Sequence, residues 1–480
     1  MLQLALLSLL LPSIAHADEI WVDPLIGAPG AAGTVDDPLM TVSEAVEGLV
    51  GNGPHTIWME AGTYSVATGE VFPWTVSFDL SLRGLSDQVV VDVRQVTGAT
   101  GAQTAIEVGL LSTCSQTLHL ESLQMLGDGN DDAVKVCEEG YLRTDHCSFF
   151  GFDWVVPPPM YVGAGRDLRF TDTLFEEVGD VTHTTWVNTL MQNVAYAVRC
   201  RFINCGTTCT GDMWYGQSQS GVGFKDCLVT GTLSGGPACA ADSIAGCTIV
   251  GNHGYGAHVT AYYGTIDDSI LADNQLGDVS YSGQGVFSSL VKDGSGSNYG
   301  PQVLVADPRF VDAAAGDFRL RFDSPCIDVL PSDPTCLDLR GLPRAVDGDL
   351  NLARANDLGA FEFRTLDRPE GLTFEVPLGQ PYELELAGLP FTFTQLFYAR
   401  GGVTAATATS FGDLLLPPNG ANRIALLQLG ANGRTAISLP LAGGLEWIGA
   451  KLGFQAFHRS TQAVPGAAFT NAIELAVVAP

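Results

Sequence analysis

Seven fragments in the middle of the chain share one pattern: a small residue, any residue, then a large apolar one. The small positions are Cys147, Thr173, Cys200, Cys227, Cys247, Ser269 and Ser289. Two residues after each come Phe149, Phe175, Phe202, Val229, Ile249, Leu271 and Val291. The steps between small positions are 26, 27, 27, 20, 22 and 20 residues, and Ser122 extends the series backward by 25. A near-fixed period of this size is the mark of a solenoid, in which each repeat buries its apolar face only against its neighbours. Alternation within each fragment reads as a strand, with the small and the large residue on one face. Stacked coils lie about 4.8 Å apart, so a matching residue packs above each one and the two series become inward columns. Asn252 and Asn274 follow their column residues by the same five positions, which suits asparagines that take a left-handed turn and bond across coils. A β-sandwich would not keep this period. The cysteines of the column are then small apolar core residues rather than nucleophiles.

A stack has two open ends that must be covered. The front cover is expected over 20–84 and the back cover over 305–363. In the front stretch Gly33-Thr34, Asp37-Pro38, Thr41, Ala45 and Glu60-Ala61-Gly62-Thr63-Tyr64 stand in order. The back stretch carries Ala306-Asp307-Pro308-Arg309-Phe310, Gly316-Asp317-Phe318-Arg319-Leu320, Ser324-Pro325-Cys326 and Asp357-Leu358-Gly359-Ala360-Phe361. These stretches resemble the opening and closing segments of secreted bacterial pectin-lyase-like proteins. The resemblance implies a right-handed parallel β-helix over 18–364. It implies little about activity, because that group holds lyases, hydrolases and esterases. From 365 to 480 the pattern changes. Tyr382, Leu384 and Leu386 alternate with Glu383 and Glu385, and further strand runs appear near 394–399, 423–428, 434–440, 447–457 and 468–478. A small antiparallel β-sandwich is expected there. It resembles a C-terminal domain of planctomycete-type secreted proteins.

Residues 1–17 form an apolar run closed by Ala15-His16-Ala17, which reads as a signal peptide and points to a secreted or cell-surface protein. No later run is long and apolar enough to span a bilayer. The chain has 53 acidic and 23 basic residues, a net charge of −30. That field excludes nucleic acid as a partner and opposes polyanionic sugars unless a cation bridges them. Among eleven cysteines, Cys326 and Cys336 lie close together in a turn-rich stretch and are the expected disulfide.

Chemistry is less legible. Gly127-Asp128-Gly129-Asn130-Asp131-Asp132 precedes an alternating strand, and Asp131-Asp132 resembles the paired aspartates of polygalacturonases. Such enzymes need one protonated carboxyl and one ionised carboxylate. The Gly-His-Gly and Arg-Ile-Lys that accompany that pair in the family are missing. Asp128, Asp131, Asp132, Asp180 and Asp212 are the acid candidates. Trp186, Trp214 and Tyr215 are candidate sugar platforms, since exposed rings stack on sugar faces. Asp347, Asp349 and Asn351, with Asp357 further on, have the two-residue spacing that suits calcium, the one cofactor the sequence suggests; Asp128, Asn130 and Asp132 repeat it. Two functions stay open. One is a non-catalytic surface or matrix protein that binds a polysaccharide or cell-surface glycan. The other is a polysaccharide-degrading glycoside hydrolase or lyase. The first is favoured because no complete catalytic set is visible.

Overall fold

A computed structural model describes residues 18–479 except 52, 95–103, 110–114, 137–139, 157–166, 185–193, 212–220, 234, 260–263, 282, 284, 296–298, 368–374, 411, 418, 441–444 and 460–466. The chain divides into two compact units. The first comprises residues up to 224 with 229–243 and 260–263; the second comprises 225–228, 244–259 and 264–480.

In the first unit one repeated coil winds three parallel sheets, the right-handed parallel β-helix expected. The first sheet takes Glu19–Val22, His55–Met59, Leu80–Gly84, Thr117–Glu121, Tyr141–Asp145, Asp167–Thr171 and Val194–Val198 as successive neighbours. The second takes Gly62–Ser65, Val89–Asp92, Gln124–Leu126, Ser148–Phe150, Leu174–Glu176 and Arg201–Ile203. The third takes Trp74–Val76, Thr104–Val108, Asp132–Val136, Trp154–Val156, Asp180–Thr184 and Thr207–Gly211. Alternation explains the inner face: Leu118, Leu120, Leu142, Leu168 and Phe170 are buried, while their neighbours along each strand are more open. The phenylalanine column forms as expected. Phe149, Phe175 and Phe202 stack with centroids 5.4 and 4.9 Å apart, and Phe170 meets Phe175 edge-on at 5.2 Å.

The small-residue column differs from the expected strand position. The first and second sheets are joined by a corner of two residues, and the small residue is the second of them. The first is left-handed: Ser122, His146, Asp172 and Arg199 have φ between 49° and 57°. Ser122 therefore aligns with His146, and Leu123 occupies the column where Ser122 was expected. A small side chain suits the corner because it turns back onto the main chain. Cys200 Sγ donates to the Phe170 carbonyl at 3.3 Å, and Thr144 and Thr173 share a hydroxyl bond of 2.9 Å. Burial pushes the Cys147 thiol up to about 12, which fits an inert core residue. The front segment is also more than a cover, since it supplies three rungs of the first sheet. Its helix Val42–Gly48, capped by the Thr41 hydroxyl, buries Val42, Ala45 and Val46.

The second unit carries rungs of the same construction, with Thr248–Val250, Ile270–Ala272 and Leu290–Val291 in parallel register. Asn252 Nδ2 donates to Asn274 Oδ1 at 2.8 Å, the expected bond across coils. The left-handed residues are their predecessors, Gly251 and Asp273, not the asparagines. The back cover begins with an antiparallel hairpin of Phe310–Asp312 and Asp317–Leu320. Arg344, 3% exposed, pairs with Asp226 at 3.0 Å and donates to the Asp357 carbonyl at 2.9 Å and to that of Gly359. The expected Cys326–Cys336 disulfide is not formed. Cys326 is a free thiol buried with Leu290, Leu320, Leu330 and Phe363, whereas the half-buried Cys336 donates to Asp333 Oδ2 at 3.3 Å.

Antiparallel strands follow, as the alternation required. Pro381–Ala387 pairs with Arg434–Pro440, and Phe393–Arg400 lies between Asn422–Gln428 and Lys451–Arg459, the latter flanked by Ala467–Val478. Tyr382, Leu384, Leu386, Leu396, Phe454, Leu475 and Val477 form the core between them. Arg319 and Arg434 both reach Glu385, at 2.8 and 3.1 Å, and tie the hairpin to these strands.

Candidate functional site

The third sheet of the first unit brings two of the acid candidates into one column. In register across it stand Thr104, Asp132, Trp154, Asp180 and Thr207. Each begins its strand, so the column follows the corner from the second sheet. Asp132 and Asp180 sit two rungs apart, about 9–10 Å between main chains, with Trp154 on the rung between. Trp154 opens a strand and is half-buried. Close approach of the coils is enforced just ahead of the column. A Cβ on Gly206 would lie 1.9 Å from the Gly179 carbonyl oxygen, and one on Gly179 would lie 2.6 Å from that of Asp153. Only glycine fits at either position.

The electrostatics separate the aspartates. Burial, then Asp153 and Asp131, pushes the Asp132 carboxyl up to about 6, while Lys135 opposes the shift. Lys135 in turn pairs with Glu107 at 3.3 Å. Asp131 is buried, and its carboxylate accepts from the Asp128 backbone at 3.4 Å, so it shapes the turn instead of facing a ligand. Asp128 is exposed and accepts from the Asn130 backbone at 3.0 Å. These are turn bonds, and they occupy Asp128 and Asn130 within the turn. Asp212, Trp186, Trp214 and Tyr215 lie outside the described residues, as does the side chain of Asp180.

A second cluster lies in the back cover. The carboxylates of Asp328, Asp347 and Asp349 offer ligand atoms within 4.8 Å of one another. Asp347 and Asp349 were expected and Asp328 was not, because it stands nineteen residues upstream, in another turn. The other expected ligands have different tasks. Asn351 Nδ2 donates to Asp349 Oδ2 at 3.0 Å, and its side-chain Oδ1 accepts from the Ala353 backbone at 2.7 Å. Asp357 is buried and accepts from the backbone of Asp328 and Phe363. Both hold the turn rather than complete the cluster. Burial pushes Asp328 up to about 8, reinforced by Asp357, Asp349 and Asp347, and burial pushes Asp347 up to about 6. Asp328 Oδ1 is shut off from solvent with no hydrogen-bond partner, while Oδ2 accepts from the Asp349 backbone at 2.8 Å. A hard cation with oxygen ligands suits an orphaned carboxylate oxygen of this kind.

No helix among the described residues is long and apolar enough to cross a membrane. No curated protein matches the chain. Among solved structures, a rhamnogalacturonan lyase is similar at 14% identity, with a TM-score of 0.33 over 59% of this chain and 75% of that one. An Acinetobacter phage tailspike protein is similar at 10% identity, with a TM-score of 0.27 over 88% of this chain and 82% of that one. Residues 25–128 match the family model described as a protein of unknown function, DUF1565.

Proposed function

We propose that this chain is an exported β-helix protein that binds a neutral polysaccharide along the third sheet of its first unit. The observation that carries the reading is the column in which Trp154 stands between Asp132 and Asp180. An indole offers a face to a pyranose ring, and the Asp132 carboxylate accepts hydrogen bonds from its hydroxyls. Successive rungs advance by about 4.8 Å, close to the advance of one sugar in an extended chain. The acidic surroundings of Asp131, Asp132 and Asp153 favour an uncharged glycan over an anionic one. Export is supported by the apolar run of residues 1–17. In the back cover, Asp328, Asp347 and Asp349 favour a structural calcium ion. The test is affinity electrophoresis of the mature protein across neutral glucans, mannans and galactans. Retardation by one of them, lost in Trp154→Ala, supports the reading. Unaltered retardation in that variant, or none with any glycan, overturns it.

One observation favours hydrolysis as a second reading. A carboxyl raised to about 6 is half protonated at about pH 6 and still about a tenth protonated at about pH 7, far more than an ordinary aspartate, which suits a general acid. Release of new reducing ends from the bound glycan, abolished in Asp132→Asn, would establish it. Binding without release would leave the chain a binding protein.

A further inference from the structure

The three-stranded and five-stranded sheets of residues 365–480 have four edges between them, and three are blunted. Leu366–Asp367 has two residues, Glu375–Pro377 has three and closes on a proline, and Arg434–Pro440 also closes on a proline. A short strand offers little to pair with, and a proline cannot donate to a new ladder. The fourth edge is different. Asn422–Gln428 is seven residues long and has no proline, and among the described residues it pairs on one side only, with Phe393–Arg400. That pairing shifts between Leu396 and Phe397, and from Ala425 to Gln428 its register is unbroken. Ile424 and Leu426 are 39% and 57% exposed, and Phe393, opposite Gln428 on the neighbouring strand, is 51% exposed. A long apolar edge is a template for pairing with another chain. Charge distribution selects that chain. Residues 365–480 hold 8 acidic and 6 basic residues, so nearly all of the net −30 lies before them. Two copies repel one another elsewhere and meet at least cost through this segment. On the strand itself the one charge is Arg423, near its start.

We propose that Asn422–Gln428 is the seam of a homodimer, in which the same strand of a second copy pairs with it antiparallel about a twofold axis at Leu426. A twofold seam must be complementary to itself. About Leu426 this strand is. Leu426 faces its own copy, Ala425 faces Leu427, and Ile424 faces Gln428. Side chains alternate along a strand, so both members of each pair stand on one face of the sheet. The two Arg423 side chains lie at opposite ends of the seam, and no like charges stand directly opposite one another. The two five-stranded sheets join into one continuous sheet of ten strands. No glycan takes part in this pairing, so the seam and the Asp132 column stand or fall separately.

The test is sedimentation velocity of the full mature chain. A seam of one strand buries less than a standard interface, so a dissociation constant on the order of 10 µM is expected. Added salt should tighten the dimer severalfold, because screening relieves the repulsion between the acidic bodies. Leu426→Glu and Leu426→Lys each set like charges face to face at the axis, and each should be monomeric at about 0.1 mM. Both should unfold in urea at the wild-type midpoint, since the side chain is exposed. An equimolar mixture of the two variants sets glutamate against lysine and should recover the dimer. A wild-type chain that is monomeric at about 0.1 mM overturns the proposal, even if the strand captures an unrelated peptide. So does a dimer that weakens as salt rises, one that survives in either variant, or a mixture that stays monomeric.

Discussion

Phe175 is the most informative side chain to remove. It is fully buried and lies between Phe149 and Phe202 in near-parallel stacks, at 7° and 10°, with Phe170 against its edge at 87°. Truncating a buried phenylalanine to alanine costs about 3–5 kcal/mol in lost transfer and residual cavity. Aromatic pairs add about 0.5–1.5 kcal/mol each beyond burial. The rungs above and below are held by their own main-chain bonds and cannot collapse into the gap. Phe175→Ala should therefore stand at the top of that range, about 5 kcal/mol. Phe175→Leu keeps most of the apolar volume and loses only the ring contacts, so it should cost about 2 kcal/mol. Urea unfolding followed by circular dichroism reads the magnitudes. Hydrogen exchange reads the location, because nearest-neighbour coils share stability locally. Amides of 148–150, 174–176 and 201–203 should exchange faster, while those of Pro381–Ala387 should not. Equal losses for alanine and leucine, or a loss for alanine below about 2 kcal/mol, would refute the claim that the ring stack holds these coils.

Two further outcomes are expected. Without divalent cations, stability should fall as pH rises: Asp347 and Asp328 stand at about 6 and about 8 against an ordinary 3.8, so protonation favours the folded cover at low pH and that contribution is lost as pH climbs through about 6 and then about 8. Calcium should abolish the decline, and a melting temperature that is flat from about pH 5 to 8.5 in EDTA would contradict this account. Asp226→Ala leaves the buried Arg344 guanidinium with Glu362, 3.9 Å away, as its remaining carboxylate partner and should cost about 3 kcal/mol or more in urea unfolding, whereas a loss under about 1 kcal/mol would show that Glu362 and the Asp357 and Gly359 carbonyls satisfy it.

The stacking of coils was legible because it leaves a one-dimensional trace. A residue that packs on its own kind one coil away must recur, and Phe149, Phe175 and Phe202 do. The corner was misplaced by one residue at Ser122, since a serine fits the column as well as the left-handed position beside it. Asp132 and Asp180 were visible as acids, but nothing in the spacing aligned them, because their coils differ in length between the sheets. Asp328 escaped notice for a related reason. It approaches Asp347 and Asp349 through tertiary folding of two turns, and no period links them. The free Cys326 shows the limit of proximity in sequence, as ten residues of chain separate an interior position from a surface one.

The two-residue corner has a consequence for how such a molecule changes over time. At one edge each coil from Thr117 onward turns in two residues, whereas the connection from the third sheet of the first unit to the next coil ranges from three residues to ten. Register in these coils is therefore set at an edge of constant length, and length is free at an edge that does not set it. New loops can be added or lost beyond the far ends of the strands that the Asp132 column opens, without moving a single rung. Specificity can then drift between glycans while the spacing of the recognition groups stays constant, as marks on a ruler outlast whatever is measured against them.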